Sequence, residues 1–277
     1  VTINKPLRAR ASLLPPIPTG ISVATILTFE HPLNERARTQ MRLEHLFEKL
    51  AYLQPQDNPW ASRALVETLL DIATISSRAD IKTELIKELD RQAATLERVR
   101  DKPGVSRKAL EGFLAEINTA VEGLRNLERP IGQRIRENEF LKGVAQRGSL
   151  PGGTCGFDLP QYYHWLARPV RERDRQIALW TEDLAPVRAA IHLLLDFIRR
   201  SGAPRRVMAH EGLYQESLES PAPAQLIRIT VEADPSLFPE ISGHKNRFAI
   251  RFLRGGVEEA PEPIRDDLEF SLTCCVL

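Results

Sequence analysis

Three groups of residues in this chain have the types and spacing to do chemistry. The first is Cys155, inside the stretch PGGTCGFDLP at residues 151–160. A nucleophilic cysteine needs a base, and a helix N-terminus commonly lowers its pKa. His164 is near in sequence, but the helix expected here opens at Pro160, too late to aim its amides at Cys155. No Asn or Asp is placed recognisably to orient a histidine. The competing reading, which we prefer, is a turn. In it Gly152 and Gly153 supply positive φ, and Asp158 caps the helix led by Pro160.

The second group is the ending CCVL, which has the form of a prenylation signal. The residues before it, LEFSLT, alternate into the same four letters. We read a β-strand end, with Cys274 on the apolar face and Cys275 on the other.

The third group is cationic. Arg247 and Arg251 share a strand face with Lys245, because residues two and four apart lie on one side of a strand. Arg228, on an expected neighbouring strand, is placed to point the same way. From Arg199 to Gly256 there are nine Lys or Arg and six Asp or Glu, a local balance of +3. Such a face is either the solvated outside of a sheet or a ribbon that captures carboxylate-bearing peptides through arginine forks.

Other chemistry has little support. The six histidines do not fall at metal-ligand spacing. His192 is expected to pack within an apolar helix. No G-x-G-x-x-G after a strand and no P-loop is present, so no cofactor is expected. Three cysteines, two of them adjacent, make neither a disulfide framework nor a metal site, which fits a reducing cytoplasm.

The elements that must position these groups follow from periodicity. The chain has 277 residues, 42% hydrophobic, with 38 basic and 37 acidic residues and a net charge of +1. Bulk charge therefore does not announce a nucleic-acid binder, and no run approaches the roughly 20 apolar residues of a membrane helix. Residues 1–24 hold four prolines and no acidic residue, and are expected to be a disordered extension or an over-long start. A short strand is expected at 24–30. Residues 25–203 otherwise read as a helical domain. Asn34, Pro59 after Asn58, Asp80 and Ser106 mark successive helix starts. After Pro204 the period drops from near 3.6 to 2, and 204–277 read as a domain of antiparallel strands. The expected class is α+β, with the strand at 24–30 joining the C-terminal sheet, since an isolated strand cannot satisfy its own backbone.

Several blocks together resemble one family. They are ILTFEHPLNERARTQMRLEHLFEKL, DIKTELIKELDRQ, RPIGQRIRENEFL, PGGTCGFDLPQYYHWL, PEISGHKNRFAIRFL and DLEFSLTCC. In order, from about Ile26 to Cys275, they resemble ZapD, a bacterial cell-division family. The resemblance implies a non-enzymatic cytoplasmic protein acting at the midcell division site. It implies a helical domain and a β-strand domain, a symmetric homodimer, and binding to the C-terminal tail of the tubulin-like protein FtsZ, whose filaments the dimer cross-links into bundles. The family's basic binding residues carry over to Arg228 and Arg247. Strand geometry adds Lys245 and Arg251, and Arg136 is a further candidate from the helical part. Glu139 is acidic where basic relatives are expected. Neither a nucleic-acid nor a membrane partner is implied. The rival readings are an enzyme using Cys155 and a nucleic-acid module using the basic strands. The second lacks exposed aromatics, since Phe248 and Phe252 fall on the core side.

Overall fold

The computed structural model describes residues 26–77, 80–100, 106–218, 224–232, 234, 236–244, 247–258 and 260–276. Strand β1 (Ile26–Pro32) comes first, followed by helices α1 (Glu35–Leu53), α2 (Pro59–Ser76), α3 (Ile81–Arg98) and α4 (Arg107–Arg125). Shorter helices come next: α5 (Gln133–Glu137), α6 (Glu139–Gly148), α7 (Pro160–Leu166) and α8 (Val170–Thr181). The long α9 (Ala185–Arg200) closes the helical part. Strands then follow as β2 (Arg205–Ala209), β3 (Leu213–Ser217), β4 (Ala224–Glu232), β5 (Leu237–His244), β6 (Arg247–Arg254), β7 (Glu262–Pro263) and β8 (Leu268–Val276). The class is α+β, as the change of period implies.

The helix starts are written locally. The side chains of Asn34, Asn58, Asp80 and Ser106 accept from the backbone N–H groups of Ala37, Ala61, Thr83 and Ala109. Asp158 does not cap α7. Leu159 is the capping position and makes no side-chain hydrogen bond, while Asp158 accepts from Cys155 instead. Strand β1 runs on through His31 and Pro32 rather than stopping there. As an edge strand it tolerates a proline, whose missing N–H need not serve a second neighbour.

The strands form two antiparallel sheets, in the orders β1-β4-β8-β2 and β3-β6-β5, with β7 added to β6. Strand β1 pairs with β4 from Ile26↔Glu232 to Pro32↔Leu226, so it does join the later strands. The chain passes between sheets at His210–Leu213. Glu211 and Gly212 there have φ of 48° and 71°, the left-handed pair of a type I′ turn. A Cβ on Gly212 would lie 2.5 Å from the Ile264 side chain, so glycine is needed for space as well. Asp267 holds the corner by accepting from the Glu211 N–H at 2.9 Å.

The result is three layers: helices, the β1-β4-β8-β2 sheet, and the β3-β6-β5 sheet with β7. Ile227, Ile229, Phe270 and Leu272 of the first sheet meet Phe248, Ile250 and Phe252 of the second. Phe252 and Phe270 pack edge to face, with centroids 5.0 Å apart. The opposite face of the first sheet is also covered, because Leu226 and Cys275 belong to the helical core with α1 and α9. Cys275 is thus fully buried, where strand alternation alone placed it on the face away from the apolar row.

In the PGG segment only Gly152 has positive φ, at 72°. Gly153 is required for a different reason: a Cβ there would lie 2.3 Å from the Arg147 carbonyl oxygen. Gly153→Ala is expected to cost about 1–3 kcal/mol through this overlap, and a urea denaturation midpoint unchanged from the parent would contradict that. Arg63 anchors the same segment, donating to the Thr154 carbonyl at 2.8 Å and lying over the Tyr162 ring.

Candidate functional site

Strand β6 is the centre of the outer sheet, and its alternation decides what solvent meets. Phe248, Ile250 and Phe252 point inward and are buried, whereas Arg247 and Arg251 stand exposed on the outer face. Across the ladder, Arg251 is level with Leu213 on one side and Glu240 on the other. Ala249 is level with Gln215 and Ser242, and Arg247 with Ser217 and His244. Because Ala249 is small, the face sinks between its neighbours into a shallow depression of about 480 Å³ bordered by Leu213, Gln215, Glu240, Ser242 and Arg251. Among the described residues neither Arg247 nor Arg251 makes an ion pair, so both guanidinium groups keep their donors for a ligand.

Three other arginines of this part of the chain are committed elsewhere. Arg205 pairs with Glu216, and Arg206 with Glu269 at 2.6 Å. Arg199 bridges Glu30 at 2.8 Å and Glu44 at 2.6 Å. The hydrogen bonds with Glu44 hold its guanidinium above the ordinary arginine range.

Arg228 does not share the face of Arg247. It lies on β4, in the other sheet, and its side chain turns toward the helices, where Nε donates to Glu30 Oε1 at 2.8 Å. The expectation failed because β4 pairs with β1 and β8, not with β6. The two arginines therefore project from opposite outer faces of a sandwich whose sheets stack about 10 Å apart. Arg136 is in the helical layer. Its Nη1 donates to the carbonyls of Ala73 at 3.2 Å and Ile131 at 2.9 Å, tying the end of α2 to the segment before α5. Glu139 is exposed and paired with Lys142 at 2.6 Å. Lys245 lies outside the described residues. Of the candidates, Arg247 and Arg251 are thus brought together, and Arg228 and Arg136 are not.

The residues that sequence reasoning missed are Leu213, Gln215, Glu240, Ser242 and Ala249. The alternation of LYQES and the register of β5 against β6 would have pointed to them, but Pro239 disguises β5 as a loop.

Among the described residues, no histidine is a hydrogen-bond partner of Cys155. Its Sγ donates to Asp158 Oδ2 at 3.3 Å, within its own turn. Cys155→Ala is expected to leave fold and binding intact. Cys275 is fully buried and its thiol is pushed up to about 11 by burial. At pH 8 it should resist a thiol reagent in the native protein and react only on unfolding. Labelling of Cys275 equally fast in buffer and in denaturant would contradict its place in the helical core. His192 is half-exposed rather than packed, with Nδ1 3.6 Å from a Glu44 carboxylate oxygen. Among the described residues, no group of three His, Cys, Asp or Glu is placed to hold a metal. No described helix is long and apolar enough to cross a membrane.

Comparison with known proteins gives these features a context. A family model described as "ZapD: Cell division protein" matches residues 41–251, a span that includes both Arg247 and Arg251. A cell division protein ZapD of Methylococcus capsulatus is 40% identical over 251 residues, covering 91% of this chain and 98% of the relative. A cell division protein ZapD of an Azoarcus species is 36% identical over 252 residues, covering 91% of this chain and all of the relative. The agreement extends over both the helical and the stranded parts, and this chain belongs to the ZapD family of cell division proteins.

Proposed function

We propose that this protein is a non-enzymatic cross-linker of FtsZ filaments that holds the FtsZ C-terminal tail on the outer face of the β3-β6-β5 sheet. The observation that carries the reading is the pair Arg247 and Arg251, exposed, on one face, and unpaired among the described residues. An arginine left without a carboxylate offers a fork of donors that matches a peptide carboxylate. Family membership supplies the division setting.

Cross-linking needs two sites per particle. A homodimer presents two equivalent faces, and many weak links along a filament add by avidity. The protein would then work in the cytoplasm at midcell, where FtsZ assembles. A nucleic acid is a poor occupant of the same face, because Phe248 and Phe252 are turned into the core and offer no ring for base stacking.

The face is wet, so its charge contacts are screened by salt. Fluorescence anisotropy of a labelled FtsZ tail peptide should show affinity falling at least about fivefold between 50 and 300 mM salt, the loss expected for two exposed charge contacts. Salt-independent binding would argue against an arginine-based site.

A further inference from the structure

The outer face also specifies the kind of peptide it takes. We propose that it binds a segment in extended conformation, lying along β6, with carboxylates at positions i and i+4 and an apolar side chain at i+2. This inference rests on the reading of that face as the tail-binding surface and adds its recognition rule.

The spacing comes from the strand itself. Arg247 and Arg251 are four residues apart on β6, about 13 Å at the strand repeat. An extended ligand has the same repeat and the same alternation, so its residues i and i+4 fall level with the two guanidinium groups. One turn of a helix cannot do this, because residues i and i+4 on a helix are only about 6 Å apart along the axis.

The middle of the ligand meets Ala249, half-buried and level with Gln215 and Ser242. The depression there, about 480 Å³, opens beside Leu213, which is 38% exposed. An apolar side chain at i+2 would fill it and cover Leu213. Glu240 stands at the border of the same depression, level with Arg251. A carboxylate at i+2 would lie level with Ala249 between the neutral Gln215 and Ser242, with no guanidinium at its own level, so the middle position favours an apolar side chain while the ends select acids.

The test uses the full chain and short synthetic peptides by fluorescence anisotropy. One peptide carries Asp at i and i+4 with Leu at i+2. A second has its two Asp adjacent, a third has Asp in place of the central Leu, and a fourth is a helix-forming sequence with Asp residues two turns apart. The first should bind about five- to tenfold tighter than the second, the gain expected from one additional charge-assisted contact, and tighter than the third by a similar factor, the gain from burying an apolar side chain where an acid finds no cation. Arg251→Ala should erase the preference for spacing. Ala249→Leu should erase the preference for Leu at i+2 and keep the preference for spacing, which separates the depression from the charges. Equal affinity for the first three peptides, or tighter binding of the helical one, overturns the proposal. The FtsZ tail peptide is measured in parallel. Tail binding without spacing discrimination overturns the recognition rule alone, and spacing discrimination without tail binding overturns the assignment of FtsZ as the partner.

Discussion

Replacing Arg247 and Arg251 together by glutamate should reduce FtsZ tail binding at least about a hundredfold and eliminate filament bundling, with the unfolding midpoint nearly unchanged. The size follows from the contacts removed. A hydrogen bond to a charged group contributes about 1.5–3 kcal/mol, and the double replacement removes two such donors and adds repulsion toward an acidic ligand. The absence of a stability effect follows from the same geometry. Both side chains are exposed, on the outside of the sheet, with no ion pair among the described residues to lose. Surface changes of this kind usually stay within about 0.5 kcal/mol. Light scattering of FtsZ polymers reads the first effect and urea denaturation the second. Normal bundling by the folded double variant would remove the face from the account.

The second large effect is on stability, at the seam between helices and sheet. Glu30 on β1 accepts from Arg228 of β4 at 2.8 Å and pairs with Arg199 of α9 at 2.8 Å. Arg199 in turn reaches Glu44 of α1. One carboxylate with 17% of its side chain exposed therefore joins an edge strand, a central strand and helix α9. Glu30→Ala leaves two arginines facing each other with a single remaining carboxylate. Removing one member of a fully buried pair costs about 3–5 kcal/mol. Arg199 and Arg228 are 25% and 32% exposed, so solvent screening lowers the expectation to roughly 2–3 kcal/mol. Urea denaturation measures it, and a loss under about 0.5 kcal/mol would show that the seam is held by packing alone. The double variant Glu30→Leu with Arg228→Leu should be less destabilised than Glu30→Ala, because it strands one fewer charge.

Arg228, Arg247 and Arg251 look alike in the sequence, and their different surroundings show what was legible there. Strand alternation places Arg228 opposite Ile227 and Ile229, and Arg247 and Arg251 opposite Phe248, Ile250 and Phe252, and the structure agrees. Alternation is local, set by a two-residue period. Which strand neighbours which is not local. The chain changes sheet between β2 and β3, β3 and β4, β4 and β5, and β7 and β8, and at the first of these crossings Glu211 is not a residue type that announces a left-handed turn. Without these crossings, β4 and β6 read as neighbours and Arg228 joins the wrong face.

The helix caps show the same division. Asn34, Asn58, Asp80 and Ser106 act within three residues of themselves and were readable. Asp158 looked equally local, but its carboxylate accepts from the nearby Cys155 thiol and leaves α7 without a side-chain cap. Cys275 is on the face opposite Cys274, as alternation places it, but its burial was missed because the strand pattern assumes one wet face. In β8 both faces are covered, one by the second sheet and one by helices. The shallow floor at Ala249 was invisible for a related reason: a small residue becomes a depression only when larger neighbours on its own and the adjoining strands, here Leu213, Gln215, Glu240 and Arg251, stand around it.

The FtsZ tail is the proposed point of attachment, and co-sedimentation separates it from the filament body. Polymerised FtsZ, intact or lacking its C-terminal tail, is pelleted with this protein. We predict that the protein pellets with intact filaments, bundling them, and stays in the supernatant with tail-less filaments. Equal pelleting with both would move the contact to the filament body and contradict the assignment of the Arg247 and Arg251 face.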